Sequence, residues 1–91
     1  MGKGKLTWQD REKLRSNEFV LNVTENRITY SRDFKNRFVT EYYAGKKPKK
    51  IFIDAGFDPK ILGPKRIERA AARWRKQYQE GILGNKDREN Q

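Results

Sequence analysis

The stretch PKRIERAAARWRKQYQ, residues 64–79, constrains this chain more than any other feature. Ile67, Ala71, Trp74 and Tyr78 recur at i, i+4, i+7 and i+11, which is one apolar stripe on a helix. Arg66, Arg69, Arg73 and Lys76 recur at i, i+3, i+7 and i+10. They fall in a second wedge about 80° wide, centred roughly opposite the first. Lys65 lies at its edge, and Glu68 sits well to one side. A solvated helix face usually mixes signs through pairs at i, i+4. The four central positions here hold no acid. The spacing predicts a helix that anchors itself with Trp74 and turns a row of guanidinium groups outward.

Charge is concentrated in the same region. The 91 residues carry 22 Lys and Arg against 12 Asp and Glu, a net charge of +10. Residues 46–76 alone hold eleven basic and three acidic side chains, whereas residues 77–91 are slightly acidic. A polyanion would therefore meet a localised patch rather than a diffuse positive sphere. Plain solubility is the bland alternative, but it does not require clustering.

Upstream, the chain reads as short helices around a small extended segment. Thr7 caps a helix over about 8–16, with Asp10 three positions later in a capping-box pattern. Phe19, Leu21 and Val23 alternate, Thr24–Arg27 reads as a turn with Asn26 suited to positive φ, and Ile28-Thr29-Tyr30 follows with period two. That is a small β-hairpin of about 19–23 with 28–30; an extended linker held by a few apolar residues is the alternative. Ser31 caps a helix of about 32–44 whose Phe34, Phe38 and Tyr42 recur every four residues beside Val39. Gly45 sits at its left-handed C-cap. Pro48 opens a helix of about 48–55 that turns Ile51, Phe52 and Ala55 inward, and Gly56 ends it. Asp58-Pro59 starts a single helical turn with Ile61 and Leu62 as core plugs, and Pro64 opens the last helix.

The expected domain organisation is a flexible tail over 1–6 and a helix-and-hairpin extension over 7–30. A helix-turn-helix unit follows over 31–79, then a polar tail over 80–91. A helix of about eight residues, a glycine turn and then a basic helix is the helix-turn-helix layout. Here the turn is enlarged, since Gly56 and Pro64 are far apart for the compact version.

Composition narrows the chemistry. With no His and no Cys, the commonest zinc ligands, Cys nucleophiles, His bases and disulfides are all missing. The Asp and Glu residues are scattered beside basic ones; Asp54 and Asp58 are four apart, but Gly56 breaks the helix between them. Gly63-Pro64-Lys65 lacks the spacing of a phosphate-cradling loop. No apolar run nears the roughly 18 residues of a membrane span, and the first residues lack a signal-peptide core. The expectation is a non-enzymatic cytoplasmic protein, nucleoid-associated, with no cofactor, metal, membrane or small-molecule substrate.

The pattern points to double-stranded DNA. An Arg fork donates two parallel hydrogen bonds to guanine O6 and N7 or to a phosphate. An α-helix fits the major groove of B-form DNA but not the narrow one of A-form RNA. Lys65, Arg66, Arg69 and Arg73 are the candidate base-reading residues. Lys46, Lys47, Lys49, Lys50 and Lys76 are the candidate phosphate-binding residues, the first four beside the start of the brace helix and its dipole. RNA binding, with Tyr30, Tyr42, Tyr43 and Phe52 stacking on bases, is one alternative. A protein-interaction module using the hairpin edge or the first helix is another, with Trp8 as an anchor.

The stretch ITYSRDFKNRFVTEYYAGKKPKKIFIDAGFDPKILG, with the later ARWRKQY, resembles the helix-turn-helix proteins associated with insertion-sequence transposases. It is more closely similar to a group of small stand-alone helix-turn-helix proteins of Gram-positive bacteria. These share an LRSN-like segment, a YS..FK helix start, a Y..G helix end, an IF..AGF turn and a terminal RWR. The likeness covers about residues 14–78. It implies a mainly α, three-helix homeodomain-like DNA-binding fold. Ser31, Phe34 and Lys35 would open its first element, and Tyr42 and Gly45 would close it. Ile51, Phe52, Ala55, Gly56 and Phe57 would make the brace and turn, with Arg73, Trp74 and Arg75 on the recognition helix. It also implies a link to a mobile element or to transcription regulation, with a transposase or a second copy of the chain as partner.

Overall fold

A computed structural model describes residues 5–83 of the chain. The elements run α1 (Trp8–Arg15), β1 (Val20–Val23), β2 (Ile28–Tyr30), α2 (Arg32–Tyr43), α3 (Pro48–Asp54) and α4 (Pro59–Gln79). The fold is mainly helical with one two-stranded antiparallel hairpin, and it is compatible with a helix-turn-helix.

Local chemistry sets the helix ends. The Thr7 hydroxyl accepts the Asp10 N–H at 3.0 Å while the Asp10 carboxylate accepts the Thr7 N–H at 3.0 Å, a complete capping box. Ser31 caps α2 through the Phe34 N–H. Gly45 reverses the chain at φ 109°, which lets the Lys46 N–H reach the Glu41 carbonyl at 3.0 Å. Asp58 caps α4 by accepting the Lys60 N–H at 2.9 Å. At Gly63 the backbone leaves the helical region (φ 80°, ψ 152°), so Pro59–Leu62 is one turn and the long straight run starts at Pro64. The connection from α3 to that run is thus long, and it contains the single turn read from Asp58-Pro59.

Tyr30, Phe34, Phe38, Phe52, Phe57 and Trp74 form one cluster of touching rings at the centre. The Trp74 centroid lies 5.2 Å from both Tyr30 and Phe38, with the rings edge to face. Ile51, Leu62, Ile67, Ala70 and Ala71 close the cluster, so α2, α3, α4 and β2 share one core. The N-terminal segment is bolted to the helix-turn-helix by Asn17. Its amide donates to the Ala55 carbonyl at 3.0 Å and accepts the Phe19 N–H at 2.7 Å. A Cβ on Gly56 would sit 3.2 Å from that amide, at a φ of 94° that other residues rarely adopt. The turn after α3 is therefore shaped around Asn17.

Four details depart from the sequence pattern. The pairing shifts between Val20 and Asn22, so Leu21 is a bulge residue turned to solvent, and the alternation of Phe19, Leu21 and Val23 onto one face is broken. Asn26 does not adopt positive φ; the Thr24 hydroxyl accepts the Asn26 and Arg27 N–H groups and holds the turn instead. Tyr78 leaves the buried stripe: it is exposed near the end of α4 and stacks on Tyr43, the last residue of α2, at 4.8 Å. Two residues of the expected tails are packed. Leu6 is buried and its N–H bonds to the Glu25 carbonyl at 2.8 Å. Leu83 is buried too, after Gly81 at φ 83° turns the chain back. Residues 1–4 and 84–91 of those segments lie outside the described residues.

Truncation at the core should be costly and at the surface cheap. Phe34→Ala should lower stability by about 3–5 kcal/mol in chemical denaturation. Trp8→Ala, at a side chain 65% exposed, should stay within about 0.5 kcal/mol. Equal losses at the two positions would contradict the ring cluster as the centre of stability.

Candidate nucleic-acid interface

The rotation of α4 is fixed by Ile67, Ala70, Ala71 and Trp74, all buried against α2 and α3. That phase leaves Lys65, Arg69 and Arg73 exposed and Arg66 half-buried. Arg69 and Arg73 form no salt bridge among the described residues. Arg75 points the other way: its guanidinium lies 5.3 Å over the Tyr42 ring and donates to the Tyr42 hydroxyl at 3.2 Å. Arg75 is thus a packing residue.

The outward face of α4 does not stand alone. It forms one wall of an open cleft of about 490 Å³ whose other wall is the hairpin, from Asn26 to Tyr30. Arg66, Arg69 and Arg73 line it from α4, Arg27 from the hairpin and Lys35 from α2. Among the described residues, no carboxylate lines it. Burial pushes the Lys35 amine below its ordinary range, and Arg73 and Arg32 push it further the same way. Burial raises the Tyr30 phenol well above its usual range, an effect that Arg66 only partly offsets, so the ring stays neutral.

The proposed phosphate-binding lysines divide into two groups. Lys46 donates to Asp54 at 2.9 Å and to Glu41 at 3.2 Å, and Lys50 lies 3.4 Å from Asp54. These contacts tie the end of α2 to the end of α3. The hydrogen bonds it donates to Asp54 and Glu41 hold Lys46 above its ordinary range, and the bond accepted from Lys46 holds the Asp54 carboxyl below the usual one. Lys76 lies 3.8 Å from Glu80. Lys47 and Lys49 are exposed, with no salt bridge among the described residues. With only seven residues, α3 contributes little dipole, so these side chains act through their own charge.

The cleft gathers Arg66, Arg69 and Arg73 of the helical stripe with Arg27 and Lys35, which lie outside it. Arg27 reaches the cleft from the hairpin, and Lys35 through the packing of α2 on α4. The carboxylates hold structural posts: Asp10 and Asp58 cap helices, and Asp54 pairs with lysines. No group of three metal-ligating residues occurs among the described residues. No described helix is long and apolar enough to cross a membrane.

A family model described as a transposon-related helix-turn-helix domain protein matches residues 1–90. No curated protein and no solved structure matches the chain.

The crowding of cations in the cleft has a titration signature. The Lys35 amine should titrate below 10.5, and Arg73→Gln should move it back only part of the way, because burial is the larger cause. The unfolded chain then binds more protons at alkaline pH, so the Lys35 contribution to stability rises with pH between its folded value and 10.5. An NMR titration of the lysine side chains checks both. A midpoint at or above the ordinary value would reveal an unseen anionic neighbour.

Proposed function

The chain belongs to the family of transposon-related helix-turn-helix domains, and from that premise we propose that it binds double-stranded DNA with α4 as its recognition helix. Lys65, Arg66, Arg69 and Arg73 enter the major groove and read base edges. Lys47 and Lys49 hold phosphates outside it, joined by the more constrained Lys46, Lys50 and Lys76. One observation carries this reading: a Trp74-anchored helix exposes Arg69 and Arg73 in a cleft lined by five cations and no carboxylate. Such a face raises the energy of the free protein through self-repulsion and lowers it against a polyanion.

A mobile-element link follows from the family, and the ends of such an element are the natural duplex for the site. Membership in a DNA-binding family supports a role without catalysis, and Asp10, Asp54 and Asp58 serve helix caps and a lysine pair. A single domain of this size reads only a few base pairs. A transposase or a second copy of the chain would supply the remaining selectivity.

Selection from random duplexes followed by salt titration tests the proposal. Arg69→Ala and Arg73→Ala should each cost about 1–3 kcal/mol on the selected site and relax base preference there. Lys49→Ala should weaken all sequences about equally and flatten the salt dependence. Duplex DNA should outcompete transfer RNA and single strands at matched salt; a preference for RNA would overturn the reading. Identical profiles for Arg69→Ala and Lys49→Ala on selected and random DNA would overturn the division of roles.

A further inference from the structure

The helix face accounts for Arg66, Arg69 and Arg73 but not for the opposite wall of the cleft. Arg27 stands where the hairpin turn runs into β2, and Lys35 stands on the first turns of α2. The hairpin and α2 are neighbours in the chain and α4 is distant from both, yet the three deliver cations to one open space of about 490 Å³. That volume lies within the range of about 300–1,000 Å³ typical of ligand clefts. Elsewhere converging cations meet around an acid: Lys46 and Lys50 around Asp54, and Arg37 and Lys46 around Glu41. Arg27, Lys35, Arg69 and Arg73 are like charges in one space that no carboxylate lines among the described residues, and they call for an anion from outside.

We propose that this cleft seats the sugar-phosphate backbone of one DNA strand, with Arg27 and Lys35 gripping its phosphates from the hairpin side while α4 lies in the groove beside it. The proposal rests on the reading of α4 as the recognition helix and adds the hairpin as a second, sequence-independent arm. A helix in the major groove is flanked by two strands. The hairpin stands on one side of α4, so the grip falls on one strand and not on the other. Arg27 is exposed and its backbone N–H is already held by Thr24, so its side chain is free to swing onto a phosphate. Lys35 is half-buried and less mobile, and fixes the depth of the seat.

The test uses the full chain and short random-sequence duplexes. Arg27→Gln and Lys35→Gln should each lower the slope of log affinity against log salt by about 1 and weaken all sequences by the same factor. Lys13→Gln, an exposed cation on α1, should change neither. Base preference on a selected site should survive both cleft substitutions. In a methylphosphonate scan, neutral linkages on one strand should weaken the unsubstituted protein at positions where Arg27→Gln shows no further loss. Unchanged slopes for Arg27→Gln and Lys35→Gln, with base preference on the selected site still relaxed by Arg69→Ala, would overturn the strand seat and leave the recognition helix standing. Unchanged slopes with base preference also unmoved by Arg69→Ala would overturn both. Inorganic phosphate shifting the Lys35 side-chain signals while the methylphosphonate scan stays flat would assign the cleft to free phosphate and overturn the strand assignment. Arg27 lies on an exposed turn, so its result stands even if the Lys35 variant alters packing.

Discussion

The edge-to-face contacts of Trp74 with Tyr30, Phe34 and Phe38 govern this small molecule. Only 34% of the residues are hydrophobic, and aromatic rings supply much of the core. Rings bury large areas per residue, and their edge-to-face pairs add to that gain. The consequence for the surface is direct. Once Trp74 is clamped, α4 cannot rotate about its axis without drawing Arg73 or Arg69 inward. An uncompensated buried charge costs several kcal/mol, far more than any gain from repacking the small Ala70 and Ala71. The direction of the basic face is therefore set by hydrophobic packing, not by its own electrostatics.

The chain treats its positive charge in two ways. At the corner between α2 and α3, Glu41 and Asp54 each receive two cations, and the pairs hold that corner in one geometry. Exposed pairs of this kind add little to stability, and their main effect is positional. In the cleft the opposite holds: Arg27, Lys35, Arg66, Arg69 and Arg73 share one space that no acid lines. Chain neighbours do not explain the contrast, since Asp33 and Glu68 are close in sequence and line nothing there. Acids placed at the corner and absent from the described lining of the cleft set the two apart, and this contrast supports the proposal that the cleft receives an anion.

Most of the helical layout was legible in the sequence because it is local. Thr7, Ser31, Gly45 and Pro48 announce helix ends through chemistry that acts within a turn, and the stripe through Trp74 reads directly as a 3.6-residue period. What stayed hidden is non-local. The Asn17 bond to Ala55 spans 38 residues, and no pattern in either segment encodes it. Through that bond the Asn of the LRSN-like segment holds the N-terminal extension on the turn of the helix-turn-helix. The bulge at Leu21 hides for a related reason, since strand alternation is visible only where pairing is regular. Arg27 and Lys35 are unremarkable charges in sequence, and line one cleft with α4 only when the hairpin and α2 are folded beside it.

Tyr30 joins these levels. It ends β2, and its ring meets Trp74 edge-on at 5.2 Å. The contact that anchors α4 therefore also sets the distance between α4 and the hairpin, and with it the width of the cleft. Because burial keeps the Tyr30 phenol protonated, the cleft gains no negative charge from it. A hairpin of seven strand residues is marginal alone. Here it is held by the same rings that hold the helix, so the two walls move as one body. On the proposed reading, two walls joined at the core need little ordering when a strand enters between them, because their conformational cost is already met in folding.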